Sequence, residues 1–190
     1  MKLHQLDGTI KASRVLGIDG STKSFAWCLI EDGKVIEYGE EEFDGDSLYE
    51  KTKSAQIAAA KLAAMKPEYC AFEQVVFVNN RAVTVKLAYF AGIIIGAMVD
   101  KDIVYDDVSP MTWMNYIGNG RFTKAESMAL KKDNPGKTKT WHKSNRRTVR
   151  KQRTKDWVKK QYGFEPENDN IADAVGIAYY ADEELTNGED

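Results

Sequence analysis

The sequence predicts an α/β protein whose mixed, five-stranded sheet has helices on both faces. Three strand-like segments come first, helix-like and strand-like segments then alternate, and the 190 residues, 43% of them hydrophobic, suffice for one sizeable core. Hairpin-linked strands followed by helix–strand alternation are typical of a mixed sheet covered on both sides. Since domains commonly have about 100 to 200 residues, we expect one domain over residues 1–190, with a basic insertion at about 118–160 before the last helices.

The first three strands are predicted at residues 14–19, 25–30 and 34–43. The first two are short apolar runs, and the pair Asp32-Gly33 between the second and the third strand is a hairpin signal. These strands therefore enter the sheet as antiparallel neighbours.

An alanine-rich helix is predicted to begin at Asp46 or Ser47 and to end at about Met65, because a proline comes two residues later. Its apolar positions include Ile57 and Leu62. Residues 69–73 then form a short buried strand, which ends in an acid as the first strand does.

The segment at residues 81–99 is predicted to be a buried helix, since it is mostly apolar and too long for a strand. Ala88, Gly92 and Gly96 recur at four-residue spacing and would let another element approach the backbone closely. This stripe suits a dimer interface and core packing equally well. Its longest apolar run is shorter than the ~20 residues needed to cross a bilayer, so no membrane partner is expected.

Residues 102–108 are predicted as the fifth strand, and Ser109 with the proline after it starts a helix that ends at the glycines following it. An amphipathic helix at residues 169–184 comes last. Between these two helices lies the basic insertion. An Asn-Pro-Gly sequence at residues 134–136 divides it, and its second part is predicted to be helical at residues 144–161.

Charge is segregated along the chain. The formal net charge is −2, from 27 basic and 29 acidic side chains, but residues 118–160 hold 15 Lys and Arg against three acids, a local balance of +12. A dense cationic segment suggests a polyanionic partner, because each cation that neutralises a phosphate releases counterions. A solvated, flexible insertion is the alternative, and charge alone does not decide between them.

Cys28 and Cys70 lie among apolar neighbours and form no Cys-x-x-Cys pair, so neither a disulfide framework nor a zinc site is expected. The first 13 residues lack the apolar core of a secretory signal. We therefore expect reduced, buried thiols in a soluble, cytoplasmic protein.

Two acids, Asp19 and Glu73, each come at the end of a predicted buried strand. If those strands are parallel neighbours, their carboxyl ends bring both side chains to one edge of the sheet, where α/β proteins gather ligands. Like charges held together are unfavourable unless a cation neutralises them, and oxygen ligands suit Mg²⁺ or Mn²⁺.

Three more polar residues, Asp169, Asn170 and Asp173, share one turn of the last helix and can reach the same site. Oxygen ligands from these separate segments can hold two metal ions ~4 Å apart, an arrangement that hydrolyses phosphodiesters. Each acid taken alone also has a structural explanation: a strand-end turn for Asp19, a salt bridge for Glu73 and a helix cap for Asp169.

Together these motifs resemble the RuvC-type Holliday junction resolvases of the RNase H-like superfamily. The similarity spans most of residues 14–181. It is carried by Leu16-Gly17-Ile18-Asp19, by Phe72-Glu73-Gln74-Val75, by Asn80 with Lys86-Leu87 and Gly92, and by Ala172-Asp173-Ala174 with Gly176-Ile177-Ala178.

The resemblance implies a homodimeric, metal-dependent endonuclease that makes symmetric cuts in four-way DNA junctions and other branched DNA. Asp19, Glu73 and Asp173 would be the catalytic carboxylates and would bind two Mg²⁺ or Mn²⁺ ions. The family usually has an acid, or sometimes a histidine, three residues before the last aspartate, where this chain has Asn170. Either Asn170 ligates through its carbonyl, or Asp169 replaces it, or the chain is inactive; Asp169 and Asn170 are equal candidates.

The resemblance also implies DNA contacts. Bacterial members tend to have an aromatic wedge three residues after the catalytic glutamate, where this chain has Val76. Phe77 beside it is either the wedge or a core residue. The basic insertion is mostly absent from bacterial members, which favours a phage or viral member acting in the host cytoplasm. The other expected DNA-binding residues are Asn79, Asn80, Arg81, Lys86, Trp141, Lys143, Arg146, Arg147, Arg150, Lys151 and Arg153.

Two other functions fit parts of the pattern. Residues 17–22 resemble the phosphate-binding hairpin of actin-, sugar-kinase- and chaperone-type ATPases, but the sequence holds no second hairpin of that kind. A catalytically silent junction-binding protein is suggested by Asn170.

Overall fold

The computed structural model describes residues 12–75 and 80–186, and within them five strands form one sheet in the order β3-β2-β1-β4-β5. β2 is antiparallel to both β1 and β3, whereas β4 is parallel to both β1 and β5. The predicted mixed, five-stranded sheet is confirmed. The strands are β1 (Arg14–Gly20), β2 (Ser24–Glu31), β3 (Lys34–Glu42), β4 (Tyr69–Glu73) and β5 (Val104–Val108).

Helices cover both faces of this sheet. α1 and α2 pack on one face, and α3, α5 and α6 pack on the other. The α/β class with helices on both faces is therefore confirmed. The helices of the described residues are α1 (Leu48–Ala64), α2 (Arg81–Val99), α3 (Pro110–Tyr116), α4 (Lys124–Asp133), α5 (Lys139–Tyr162) and α6 (Asp169–Thr186).

Side chains of β1 alternate between the two faces, as the pleat of a strand requires. Leu16 and Ile18 pack with α1 and α2, whereas Gly17 lies against α6. A Cβ on Gly17 would stand 2.4 Å from the backbone nitrogen of Ala178 and 2.6 Å from the carbonyl oxygen of Ala174. The helix backbone therefore rests directly on the strand, and the absence of a side chain at Gly17 fixes how closely α6 approaches the sheet.

α1 begins where its capping residues predict. Ser47 and Glu50 form a capping box, in which each side chain accepts a hydrogen bond from the backbone of the other residue. The prediction of its apolar face is wrong at Ile57, which is 54% exposed, and is confirmed at Leu62, which is buried. Alanines form the rest of the buried side, and they let α1 lie close to the sheet.

α2 differs from the fully buried helix that its composition predicts. A helix in an outer layer is covered on one side only, and the mean apolarity of its sequence does not reveal which side that is. A Cβ on Gly92 or Gly96 would meet no atom within 4 Å, so the small-residue stripe faces open space. α2 is long and apolar enough to cross a membrane by the criteria of length and composition alone. Core helices of soluble proteins meet the same criteria. Its buried residues are Thr84, Phe90, Ile94 and Met98.

The basic insertion is helical in both of its parts, although its charge pattern predicts a helix only in the second. α4 is capped by Thr123, whose hydroxyl accepts from the backbone N–H of Glu126, while the Glu126 carboxylate accepts from the backbone N–H of Thr123. The Thr-x-x-Glu spacing is thus the local signal that identifies this helix.

α5 begins at Lys139, earlier than predicted, and ends at Tyr162; the residue after it, Gly163, caps the helix with a left-handed φ of 79° that suits a glycine. Thr154 and Val158 of α5 are buried in the core, and Val158 packs in the same cluster as residues of α6. Arg153 also forms an ion pair with Glu126 of α4, at 2.6 Å. α5 is therefore an integral part of the fold, whereas α4 has no buried residues and is joined to α5 by this ion pair.

Candidate functional site

Asp19 and Glu73 are neighbours at one edge of the sheet. β1 and β4 pair in parallel, with Ile18 opposite Phe72, so the next residue of each strand lies beside its counterpart. Ile18 and Phe72 both pack with α1 and α2, and the pleat therefore turns Asp19 and Glu73 toward α6. The prediction that Asp19 and Glu73 lie side by side at the carboxyl ends of two parallel strands is confirmed.

Asp173 reaches the same place from the second turn of α6. Burial raises the pKa of Asp19 well above its ordinary value, and the negative charges of Glu73 and Asp173 raise it further. Burial also raises the pKa of Asp173, to about 7, with the charge of Glu73 as the next cause. The three carboxylates are thus close enough to repel one another in a partly buried setting.

Glu73 is held in place by Trp113 of α3. The indole Nε1 donates a hydrogen bond to Glu73 Oε1 at 3.1 Å, and Trp113 is fully buried. Its ring fills the space beside Gly176 of α6, where a Cβ would come within 2.7 Å of it. Burial raises the pKa of Glu73, while this hydrogen bond and the charge of Arg150 act in the opposite direction. Trp113 is a site residue that no motif indicated.

Asp169 lies against α5. Its carboxylate is 2.5 Å from Lys151 Nζ and 3.5 Å from Lys155 Nζ. Burial acts to raise the pKa of Asp169, but these two lysines outweigh it and hold the pKa below its ordinary value. Asp169 is therefore engaged by cations of the protein itself, which distinguishes it from Asp173.

Asn170 faces a different partner, Glu40 of β3. Asn170 Nδ2 donates to Glu40 Oε1 at 3.0 Å, and Asn168 Nδ2 donates to Glu40 Oε2 at 2.6 Å. Burial acts to raise the pKa of Glu40, but hydrogen bonds from Ser24, Asn170 and Asn168 lower it overall. The charge of Glu40 also helps to raise the pKa of Asp19, which places Glu40 within electrostatic reach of the carboxylates. The sequence-based set missed this acid.

A cleft of about 960 Å³ opens beside the carboxylates, and cationic side chains of α5 line much of it. Glu73 and Asp173 lie on its wall, so the negative site and the positive helix share one cavity. Of the residues predicted to bind DNA, five line this cleft: Lys143, Arg146, Arg147, Arg150 and Lys151.

Other predicted DNA-binding residues lie elsewhere. Arg153 stacks on Phe122 at 4.7 Å in addition to its ion pair, so its guanidinium serves packing between α4 and α5. Trp141 lies in the first turn of α5 with Lys137 over its ring. Neither lines the cleft.

The remaining predicted contacts fall at or before α2. Asn80 caps this helix, because its Oδ1 accepts from the backbone N–H groups of Ala82 and Val83 at 3.1 and 3.4 Å. Arg81 and Lys86 are exposed on the first turns of α2. Phe77 and Asn79 lie outside the described residues, together with Val76.

The donor set fits a hard divalent cation. Carboxylates that raise one another's pKa by their charge are the oxygen ligands that Mg²⁺ and Mn²⁺ prefer. Within residues 12–75 and 80–186, however, no three His, Cys, Asp or Glu side chains already form a ready coordination group. Asp19, Glu73 and Asp173 are the side chains that would hold the ion.

The fold and the placement of the acids define a class: this is the RNase H-like fold of the RuvC-type resolvases, as the sequence motifs predict. Thermus thermophilus RuvC in complex with a Holliday junction substrate has a TM-score of 0.65 and 14% sequence identity, and the match covers 90% of this chain and 94% of that chain. The yeast mitochondrial Holliday junction resolvase Ydc2 has a TM-score of 0.52 and 16% identity, with 95% and 82% covered. No protein-family model and no curated protein matches the sequence.

Proposed function

We propose that this protein is a divalent-metal-dependent endonuclease that cuts branched DNA, chiefly four-way junctions. One observation carries the proposal: carboxylates from β1, β4 and α6 lie within electrostatic reach of one another, and two of them, Glu73 and Asp173, line a cleft that α5 lines with cations. A metal-binding acidic centre beside a phosphate-attracting wall is the combination that phosphodiester hydrolysis requires. The choice of substrate is supported by the structural neighbours, which are RuvC bound to a Holliday junction and the Holliday junction resolvase Ydc2.

In this proposal Asp19, Glu73 and Asp173 hold two Mg²⁺ or Mn²⁺ ions, with Asn170 as a further oxygen donor. Bound metal would supply activation of the attacking water and stabilisation of the leaving oxygen. Trp113 keeps one oxygen of Glu73 fixed. The guanidinium groups of Arg146 and Arg147 hold phosphates in the cleft, so that the backbone lies beside the acids.

The test is cleavage mapping on a panel of synthetic DNAs: a mobile four-way junction, a three-way junction, a flap and a linear duplex, each with Mg²⁺ or Mn²⁺. We expect paired, symmetric nicks in the four-way junction and an intact linear duplex. Absence of nicks at every metal concentration would remove the enzyme proposal.

A second candidate is a junction-binding protein without cleavage. Two observations favour it: Asn170 stands in the place of the usual acid, and Asp169 is paired with Lys151. The same panel separates the two candidates, because this alternative predicts a retarded junction complex and no nicks with either metal.

We further propose that the protein is a homodimer that uses the open side of α2. Two symmetric cuts need two sites held together. Val85 and Tyr89 on this helix are 46% and 55% exposed, and the small residues Gly92 and Gly96 leave room for a second helix. An isologous contact would set the α2 helices of two copies against each other.

For the cellular location we propose the cytoplasm, and in particular the host cytoplasm of a phage-encoded protein. Cys28 and Cys70 are buried, free thiols, and burial raises the pKa of both, which makes them unreactive. Free thiols are usual in a reducing compartment. Fractionation of infected or expressing cells, followed by immunodetection of the protein, tests this assignment.

A further inference from the structure

Glu40 shares the α6 face of the sheet with Asp19, although it lies two strands away. Asp19 pairs with Ala26 of β2, and Ala26 pairs with Glu40 of β3, so the three residues form one row across the sheet. Directly paired residues project to the same face. The small side chain of Ala26 between the two acids leaves room for the start of α6.

Glu40 joins three elements through its two carboxylate oxygens. Ser24 Oγ donates to Oε1 at 2.5 Å and Asn170 Nδ2 donates to the same oxygen at 3.0 Å, while Asn168 Nδ2 donates to Oε2 at 2.6 Å. Asn168 in turn caps α6, since its Oδ1 accepts from the backbone N–H of Ile171 at 2.9 Å. Glu40 thereby ties β2 and β3 to the first turn of α6.

The contact with Glu40 determines which way the carboxamide of Asn170 faces. A carboxylate accepts hydrogen bonds and donates none, so the amide nitrogen must face Glu40 and the carbonyl oxygen must turn away. Within the described part of the chain no hydrogen bond to that oxygen is formed. Both residues line a cavity of about 850 Å³ at this end of the sheet.

We infer that Glu40 is a positioning residue that holds Asn170 with its carbonyl oxygen available as a ligand for the divalent cation. Ionised groups behind metal ligands fix the orientation of those ligands and strengthen them. In this chain Asn170, oriented by Glu40, would thus provide the oxygen ligand that an acid provides at this position in the RuvC-type resolvases. The inference rests on the proposed metal-dependent function and specifies one part of its site.

The experiment measures Mn²⁺ affinity by isothermal titration calorimetry, without DNA. In E40Q the negative charge behind Asn170 is lost and one of the two acceptor oxygens becomes an NH2 group, so the carboxamide is no longer held by an ionised acceptor; we expect Mn²⁺ affinity to fall by about 10- to 100-fold. In E40Q/N170D the new carboxylate accepts from the glutamine and still offers an oxygen, so affinity recovers. N170A removes the oxygen with Glu40 intact and is expected to lose as much affinity as E40Q.

The control is E42Q, which removes an equal charge from the same strand, on the wall of the same cavity, and should bind Mn²⁺ as the unaltered protein does. Thermal unfolding in EDTA establishes that each variant is folded. Unaltered affinity in E40Q or in N170A, an equal loss in E42Q, or absence of Mn²⁺ binding by the unaltered protein overturns the inference. If E40Q does not fold, the Mn²⁺ affinities of N170A and of E40Q/N170D are compared with that of the unaltered protein. A loss of affinity in N170A and its absence in E40Q/N170D are then the expected results.

Junction cleavage by the unaltered protein, measured separately, decides the proposed function. If that protein cleaves junctions while E40Q retains full Mn²⁺ affinity, only the role of Glu40 is wrong.

Discussion

Asp19, Glu73 and Asp173 repel one another in the metal-free protein, because each is partly buried and none is paired with a cation of its own in the described structure. Asp169 differs, since two lysines of α5 neutralise it. This repulsion lowers the free energy of unfolding of the metal-free protein. Removal of one of the three charges should therefore stabilise the metal-free fold.

The variant D173N tests this at the residue scale. The folded-state pKa of Asp173, about 7, lies above its ordinary value of 3.8, so the folded protein binds more protons between these values and loses stability as pH rises through them. In EDTA at pH 8 we expect D173N to be more stable than the unaltered protein by about 2 to 4 kcal/mol, and at pH 3 we expect little difference. Urea unfolding at both pH values measures this. The exposed substitution D133N is the control, and a gain for D173N that does not depend on pH would contradict the explanation.

Strand β3 shows how far single elements could be predicted from the sequence. Asp19 and Glu73 were predictable because a strand end and the alternation of side chains are local properties. Glu40 was not, because its place depends on a bulge: Ile30 pairs with Val35, but Leu29 pairs with Glu37, which leaves Ile36 unpaired. If the register of residues 30 and 31 continued along the strand without the bulge, Ala26 would pair with Gly39. Glu40 would then project to the opposite face of the sheet.

The helices show the same division between local and long-range information. The start of α1 follows from its capping box, and that of α4 could have been found in the same way. The exposed side of α2 could not, since the covering of a helix depends on contacts distant in the sequence. Likewise, the ion pairs of Lys151 and Arg153 are made with residues far along the chain, so the charge pattern alone suggested that both bind DNA.

At the scale of an element, α5 should provide the electrostatic attraction for DNA. Neutralising Arg146 and Arg147 together to glutamine should lower junction affinity and reduce the slope of log K against log salt by about 2, because each phosphate contact contributes about 0.9. Fluorescence anisotropy across a salt titration measures both quantities. The matched control is K131Q/K132Q, two exposed cations of α4 that do not line the cleft. An equal change in both double variants would mean that only net charge matters.

At the scale of the whole molecule, an acidic body with a basic cleft would allow a chain with a net charge of −2 to bind a polyanion, as proposed. The +12 segment is folded against the acidic site, so attraction and chemistry share one cavity. In the proposed dimer, the opposite layer of the fold, formed by α1 and α2, would provide the contact between two copies.

Gly92→Arg tests the proposed dimer. The substitution places a charged, bulky side chain on the open side of α2, where no atom of the same chain lies within 4 Å of the new Cβ. We expect a folded monomer by light scattering coupled to gel filtration, where the unaltered protein is a dimer. I57R, at a residue of α1 that is 54% exposed, is the control and should remain dimeric. A monomeric unaltered protein, or a dimeric Gly92→Arg variant, would contradict the proposed interface.

The most direct test of the central claim compares the unaltered protein with D19N, E73Q and D173N on one labelled mobile four-way junction in Mn²⁺, scoring binding and nicking in the same samples. We predict that the unaltered protein nicks the junction and that each variant binds it but leaves it intact, because each lacks one carboxylate of the metal site. Nicking by any of the three variants at the rate of the unaltered protein would contradict the assignment of that carboxylate to the active site.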